Sequence, residues 1–270
     1  MTDYDQHRGA IYSEKGGWRV GSGITTHGYS LLDEIHGKCS VFQVIIMNVT
    51  GRLPDRRLAD FLEGLFICLS WPDARIWCNK MGAFSAMTRV SPTAAIASGG
   101  LAGDSTMYGP GTIPAVDAFM KSARQYIVED GGSVENFIDE NGYRGGKLYA
   151  PGFARPLAKG DERITAMRRY AQELGFEPGV YEKLVNQIED HLVVREGEGL
   201  NLSGYFTAFM YDRGYSMQEL KGITAWCIST GVYASYFEQI DRPPEAFLAL
   251  QVGDIEYSGP APREVPERDD

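Results

Sequence analysis

The chain has 270 residues, 43% of them apolar and 23% charged, enough for one large domain or two modest ones around a real core. Its 26 lysines and arginines against 36 aspartates and glutamates leave a net charge of −10. Such a surface repels phosphate backbones and anionic lipids, which argues against nucleic-acid and membrane-surface partners. No run of 18 apolar residues exists to span a bilayer, and the opening MTDYDQHRGA lacks the basic-then-apolar order of a secretory signal. The four cysteines (Cys39, Cys68, Cys78, Cys227) are scattered, with no CxxC pair. A cytoplasmic chain with reduced, mostly buried thiols is the expectation.

In chain order, the first signal is strand-like, WRVGSGI. It is followed by VFQVIIMNV, a continuous apolar run that periodicity cannot assign to strand or helix. From there the period is helical. In RRLADFLEGLFICLS, apolar residues fall on one helix face at Leu58, Phe61, Leu62, Leu65 and Leu69, with Pro54 and Asp55 as a start signal. IPAVDAFMKSARQYI repeats the pattern at Ile113, Val116, Met120 and Ile127. Further stripes run through Ile164, Met167 and Leu174, then Leu184, Val185, Ile188 and Leu192. The nearly all-apolar GITAWCISTGVYASYF, after a polar start around Ser216, reads as a buried helix with Gly231 as the place for a bend. Glycines interrupt the helices between Gly99 and Gly103, at Gly131 and Gly132, between Gly142 and Gly160, and between Gly197 and Gly199. The helical pair bounded by the last two breaks reads as a lobe able to move against a cleft. The Pro-rich, acidic end predicts an extended arm.

Motifs for chemistry are few. Four histidines (His7, His27, His36, His191) lack the i, i+4 partners of a zinc site, so no metal is expected. There is no GxSxG, no Walker loop and no GxGxxG after a strand; GSG at 21–23 is a turn signal. Cys78 beside Trp77 reads as a small buried thiol, since a nucleophile needs a base and an electropositive setting.

Three segments, taken in order, resemble one family. APGFARPLAKGDERITAMRRYAQEL is similar to the loop and helix written Pro-Gly-Phe-Gly-His followed by Asp-Pro-Arg in citrate synthases and citryl-CoA lyases. LNLSGYFTAFMYDRGY resembles the Asn-Val-Asp-x-Tyr segment that carries their general base. GITAWCISTGVYASYFEQ, ending in DIEYSGPAPREVP, resembles their C-terminal helix and tail, and YSLLDEIHGKCSVFQVIIMNVTGRLP their N-terminal portion. The resemblance covers roughly residues 10–265. It implies an all-α, two-lobed fold: a large helical domain of residues 1–109 and 205–270, a small helical domain of residues 110–204, and a homodimer with the site in the cleft. The chemistry implied is making or breaking a carbon–carbon bond between an acyl-CoA thioester and a 2-oxo or polycarboxylic acid. Coenzyme A thioester is thus the expected co-substrate and a small carboxylate the expected ligand.

That chemistry needs a carboxylate base within reach of a weakly acidic thioester methyl, a donor where enolate charge develops, and guanidinium groups for the acid. Carried over by position, the family's donor histidine falls on Tyr108, the histidine of Gly-Phe-Gly-His on Arg155, and the base aspartate on Ser203. A further substrate histidine aligns with Asn79, and the C-terminal-helix arginine with Ile228. Arg163 and Arg242 are retained, the second matching an arginine offered to the neighbouring subunit. Tyr149, Ala150, Pro151, Gly152 and Phe153 match the loop that holds the adenosine part of CoA through backbone groups. A serine hydroxyl takes no proton from a thioester without a base beside it, so citrate synthase and citryl-CoA lyase turnover are expected to be absent or very low.

Two readings follow. In one, the chain is a divergent enzyme acting on another acyl-CoA or acid, with Tyr108 as an oxyanion donor and Arg155 and Arg163 making the cleft cationic for a polycarboxylate or phosphate. In the other, it is a non-catalytic protein that binds an acyl-CoA or organic acid, or pairs with an active relative. Polar replacements at cleft positions favour the enzyme; the joint loss of base and donors favours the binder. The plain structural roles are packing for Tyr108 and a helix-start ion pair with Asp161 or Glu162 for Arg163.

Overall fold

The computed structural model describes residues 5–6, 9, 12–155, 159–244, 252–254 and 256–266. The segment around WRVGSGI forms three short antiparallel strands, β1 (Gly16–Arg19), β2 (Gly23–Thr26) and β3 (Tyr29–Ser30), paired in that order. The ambiguous apolar run VFQVIIMNV is a helix, α1 (Val41–Thr50). Local chemistry at its start decides the matter. Ser40 accepts from the backbone N–H of Gln43 while the Gln43 side chain accepts from the N–H of Ser40, a reciprocal cap that only a helix can use.

Among the described residues, ten more α-helices follow: α2 (Arg56–Leu69), α3 (Trp77–Met87), α4 (Pro92–Gly103), α5 (Ile113–Ala123), α6 (Val134–Asn141), α7 (Glu162–Glu173), α8 (Val180–Glu196), α9 (Leu202–Tyr211), α10 (Met217–Thr224) and α11 (Ser229–Gln239). The fold is all-α, with only small sheets. Between α6 and α7 lies a tight hairpin, β4 (Tyr143–Arg144) and β5 (Lys147–Leu148). Caps match the start signals in the sequence: Asp55 accepts from Leu58 N–H at 2.9 Å for α2, and Ser216 with Glu219 closes a capping box on α10.

The predicted stripes are the buried ones. Phe61 on α2 stacks on Phe209 of α9 at 3.7 Å between ring centroids, and both are fully buried. Leu58, Leu62 and Leu65 of α2, Val116 and Met120 of α5, and Leu184, Val185 and Ile188 of α8 enter the same core. Helices α3, α4 and α11 pack on one another through small residues; Ala86, Ala95 and Tyr236 form a second buried group there.

One expectation is corrected. The apolar stretch after Ser216 is not one helix bent at Gly231 but two helices, broken at residues 225–228. Gly231 lies inside α11 as a close-approach residue. A Cβ there would stand 2.7 Å from Asn79 Oδ1 and 2.9 Å from the Trp71 carbonyl oxygen. At the C-terminal end, residues 256–266 are exposed and carry neither helix nor strand, as expected of an extended arm; the flanking stretches and His7 lie outside the described residues.

Candidate active site

A cavity of about 250 Å³ opens where five segments meet. They are the turn from Leu69 to Trp77, the segment Met107–Ile113, the Ala154–Arg155 loop with the start of α7, the start of α9, and the break between α10 and α11. Backbone pairing holds the second half of this ring together. Ala154 N–H donates to the Gly199 carbonyl at 2.8 Å, Asn201 N–H to the Gly152 carbonyl at 2.9 Å, and Asn201 Nδ2 to the Ala154 carbonyl at 2.8 Å. Asn201 is also the N-cap of α9, accepting from Gly204 N–H at 3.0 Å. One side chain thus fixes both the helix start that carries Ser203 and the loop that carries Arg155. Ala154 is held at φ 59°, a left-handed conformation that costs a non-glycine residue about 1–2 kcal/mol and turns the chain so that Arg155 reaches the cavity.

Four of the residues singled out from the sequence, Tyr108, Arg155, Arg163 and Ser203, line this one cavity. Tyr108 precedes α5; its ring lies 5.6 Å from that of Trp77 and its hydroxyl is 3.7 Å from Cys78 Sγ. Burial, with the neighbouring Cys78 adding to it, raises the Tyr108 pKa, so the phenol stays a neutral donor at physiological pH. Ser203 Oγ lies 3.2 Å from Thr112 Oγ1. No aspartate, glutamate or histidine is among the described residues lining the cavity, so nothing there activates the serine.

The cations are organised by two aspartates. Arg163 forms a bidentate pair with Asp161, Nε at 2.7 Å and Nη2 at 2.6 Å. This is the helix-start ion pair, and it leaves the guanidinium in the cavity wall, 5.2 Å from the Trp71 ring. Arg155 approaches the same Asp161 at 3.6 Å and pairs with Glu162 at 2.5 Å. The Asp161 side chain is 1% exposed and caps α7. Arg75, which the sequence reading did not single out, also reaches the cavity and pairs with Asp73 at 2.6 Å. The Arg75 guanidinium holds the Asp73 carboxyl at a pKa of about 2. Arg75 sits in a WPDAR turn with no periodicity to mark it. Asn201 and Thr112 were likewise passed over, although a Ser, Thr, Asp or Asn before an apolar run is the usual mark of a helix start.

The remaining candidates lie elsewhere. Asn79, expected at the substrate, is 1% exposed and donates from Nδ2 to the carbonyls of Trp71 and Asp73 at 2.8 and 2.9 Å. Both amide hydrogens are thus used in shaping the turn that presents Trp71 and Arg75, and Asn79 is not in the cavity wall. Arg242 is exposed, 3.7 Å from Glu238, and does not line the cavity of its own chain. Of the loop 149–153, Ala150 and Phe153 are buried in the core, and Gly152 packs against Gly204. Tyr149 and Pro151 line a separate cavity, where the Arg144 guanidinium lies 3.6 Å from the Tyr149 ring centre. Ile228, 4% exposed, forms part of the cavity wall. The thiols stay protonated: burial pushes Cys227, in the wall, up to about 12 and raises Cys78 behind Tyr108. No metal-ligating cluster occurs among the described residues, and no helix among them is long and apolar enough to cross a membrane.

No family model matches the chain, and no curated protein matches it. Solved structures do. The fold is that of citrate synthases and citryl-CoA lyases. A citryl-CoA lyase from Hydrogenobacter thermophilus superposes with a TM-score of 0.74 at 23% identity over 95% of this chain and 97% of that one. An ATP citrate lyase from Methanothrix soehngenii, solved with citrate and coenzyme A, gives 0.71 at 19% identity; the match covers 97% of this chain but 45% of the lyase. A citrate synthase from Thermotoga maritima gives 0.61 at 16% identity, over 83% of this chain and 60% of the synthase.

Proposed function

We propose that the chain is a divergent enzyme of the citrate synthase type, making or breaking a carbon–carbon bond between an acyl-CoA thioester and a 2-oxo or polycarboxylic acid, with acetyl-CoA-plus-oxaloacetate turnover absent. One observation carries the reading: Tyr108, Arg155, Arg163 and Ser203 share a cavity that holds donors and cations but no carboxylate or imidazole among its described lining residues. Coenzyme A and citrate bound in the Methanothrix lyase of the same fold support the ligand class. In this reading Tyr108, a neutral phenol in a largely apolar pocket, donates to the thioester oxygen as negative charge develops there. Arg155 takes the carboxylate of the acid, and Arg163, held by Asp161, stays in the wall beside it as a nearby positive charge. Ser203 and Thr112 form a hydroxyl pair beside them; no described residue of the wall takes a proton from carbon, so the proton lost by the thioester carbon as the new bond forms is assigned to water in the cleft.

The adenosine part of CoA is assigned to the backbone of Tyr149–Phe153, with the Arg144 and Tyr149 pair beside it. The small domain is assigned to residues 110–204. A homodimer is assigned through the α3, α4 and α11 face, which leaves Trp77, Phe84, Leu101, Tyr233 and Phe237 exposed on one chain. Across that dimer, Arg242 is assigned to the partner's site.

The missing proton acceptor favours a second reading, a non-catalytic protein that binds the same acyl-CoA or acid or pairs with an active relative. A thermal-shift screen of CoA esters and carboxylates, followed by assay of the stabilising compounds for consumption, separates the two. Stabilisation with consumption, lost in Tyr108→Phe and Arg155→Ala, is the result expected of the enzyme; stabilisation without consumption supports the binder. Brisk citrate formation from acetyl-CoA and oxaloacetate refutes the claim of absent turnover. Failure of every CoA ester and carboxylate to bind refutes both readings.

A further inference from the structure

We infer that the acid taken by this cavity carries a single carboxylate on an apolar body, a hydrophobic 2-oxo monocarboxylate rather than a di- or tricarboxylic acid. The inference rests on the reading of the cleft as a carboxylate site and deepens it. Two features of the wall carry it.

The first is the charge count. Three guanidinium groups reach the cavity, and each is paired with a carboxylate of the chain itself, two of them through two bonds. Asp73 holds Arg75 through Nη2 at 2.6 Å and Nε at 3.0 Å, and Asp161 holds Arg163 through two bonds of 2.6 and 2.7 Å. Of the three, only Arg155 has a buried N–H, at Nε, without an acceptor among the described residues. It shares an already occupied Asp161 at 3.6 Å, and its other partner Glu162 has a side chain 77% exposed to water. An unfilled N–H of a buried guanidinium is costly until an acceptor arrives. One incoming carboxylate satisfies it, and among the described residues of this chain's own wall no other buried side-chain N–H awaits an acceptor.

The second feature is what surrounds that cation. Ile76, Ile113, Leu202, Phe206 and Ile228 line the same cavity and are buried or nearly so. An apolar side chain laid against them is removed from water without loss. A second carboxylate in that place is stripped of water and left unpaired, which an apolar pocket penalises heavily. The hydroxyls of Tyr108 and Ser203 are suited to a keto oxygen beside the carboxylate, since each has one hydrogen to donate and brings no charge, whereas Thr112 donates its own to the Gly109 carbonyl at 2.8 Å. Selection against di- and tricarboxylates thus comes as much from the charge left without a partner as from any attraction to the favoured acid.

The test is calorimetric titration of the full chain with 4-methyl-2-oxopentanoate, oxaloacetate and citrate, each with and without saturating coenzyme A. The branched oxo acid is expected to bind at least tenfold more tightly than either polycarboxylate and to lose at least tenfold in Arg155→Gln. Ile228→Arg, which adds a cation to the apolar wall, is expected to move the preference toward oxaloacetate by tenfold or more. Wild-type binding of oxaloacetate or citrate as tight as that of the branched acid overturns the inference while leaving the proposed carboxylate site standing. Binding of none of the three acids overturns both. The wild-type panel decides the question even where Ile228→Arg does not fold.

Discussion

Gly204→Ala tests how the site is assembled. Gly204 is the third residue of α9 and faces the loop that ends in Arg155. A Cβ at this position stands 2.2 Å from the Gly152 carbonyl oxygen, 2.8 Å from its carbon and 2.9 Å from its Cα, all backbone atoms. Ordinary contact begins near 3.4 Å, so one segment must retreat by roughly 1.2 Å. Gly152 is itself held at φ 93°, and its carbonyl accepts from Asn201, so the retreat also strains the clamp between loop and helix. Overpacking of this kind costs up to about 3 kcal/mol, against a helix-propensity gain of at most about 1 kcal/mol for alanine over glycine. The balance is a loss of about 2 kcal/mol, or about 4–8 °C in the melting temperature of a chain this size. Displacing the loop moves Arg155, so carboxylate affinity falls with stability. Gly100→Ala is the matched control. It also lies in a helix, α4, but its Cβ meets nothing within 4 Å, so alanine there raises stability by about 0.5–1 kcal/mol. Thermal unfolding followed by circular dichroism, with calorimetric titration of a bound carboxylate, reads both effects. If Gly204→Ala melts at or above the wild-type temperature with unchanged affinity, the account of the loop and helix as one clamped unit is wrong.

Asp161→Asn keeps a competent helix cap but removes the charge between two guanidinium groups, and is expected to destabilise by about 3 kcal/mol, with partial rescue by added carboxylate in thermal unfolding. Tyr108→Phe removes a hydroxyl whose only described partner is a weak thiol, so stability should change by less than about 1 kcal/mol while affinity for a stabilising CoA ester drops about tenfold in titration. Cys227 provides a pH prediction. Its thiol, ordinarily near 9.0, is pushed by burial up to about 12, so from pH 9 upward the unfolded chain releases a proton that the folded chain retains. Stability therefore falls as pH rises from about 9 to 12, by at most about 1.4 kcal/mol per pH unit from this group, and Cys227→Ala should flatten that slope in pH-dependent melting. In the folded protein at pH 8, Cys78 and Cys227 should resist iodoacetamide, whereas both should react after unfolding, as mass spectrometry of the alkylated chain would show.

Much of the fold was written in periodicity. The stripes through Leu58–Leu65, Ile113–Met120 and Leu184–Leu192 name the core faces of α2, α5 and α8, because a helix that buries one face must repeat apolar residues every three or four positions. Start signals such as Asp55 and Ser216 were legible for the same reason: caps act on backbone groups three residues away. VFQVIIMNV stayed ambiguous because a continuous apolar run fits either period, and a reciprocal bond between Ser40 and Gln43 resolves it. The break at 225–228 was hidden by uniformly apolar composition, which marked Gly231 as the weak point when that glycine is there for close approach to Trp71 and Asn79.

The site divides along the same line. Residue types alone established that the chain carries no zinc motif and no familiar nucleophile motif, and matched positions pointed to Tyr108, Arg155, Arg163 and Ser203. That these four share one cavity depends on the packing of segments far apart in the chain. Likewise, nothing in WPDAR announces a cavity residue, because Arg75 is placed by the turn that Asn79 holds. Asn79 and Arg242 look alike in an alignment as polar site candidates, yet one is spent inside a turn and the other faces solvent. Only tertiary structure decides which arginines remain free to bind. Asp161 satisfies Arg163 and leaves Arg155 with a donor to fill, because the fold lets one buried carboxylate meet one fork squarely and the other only at its edge.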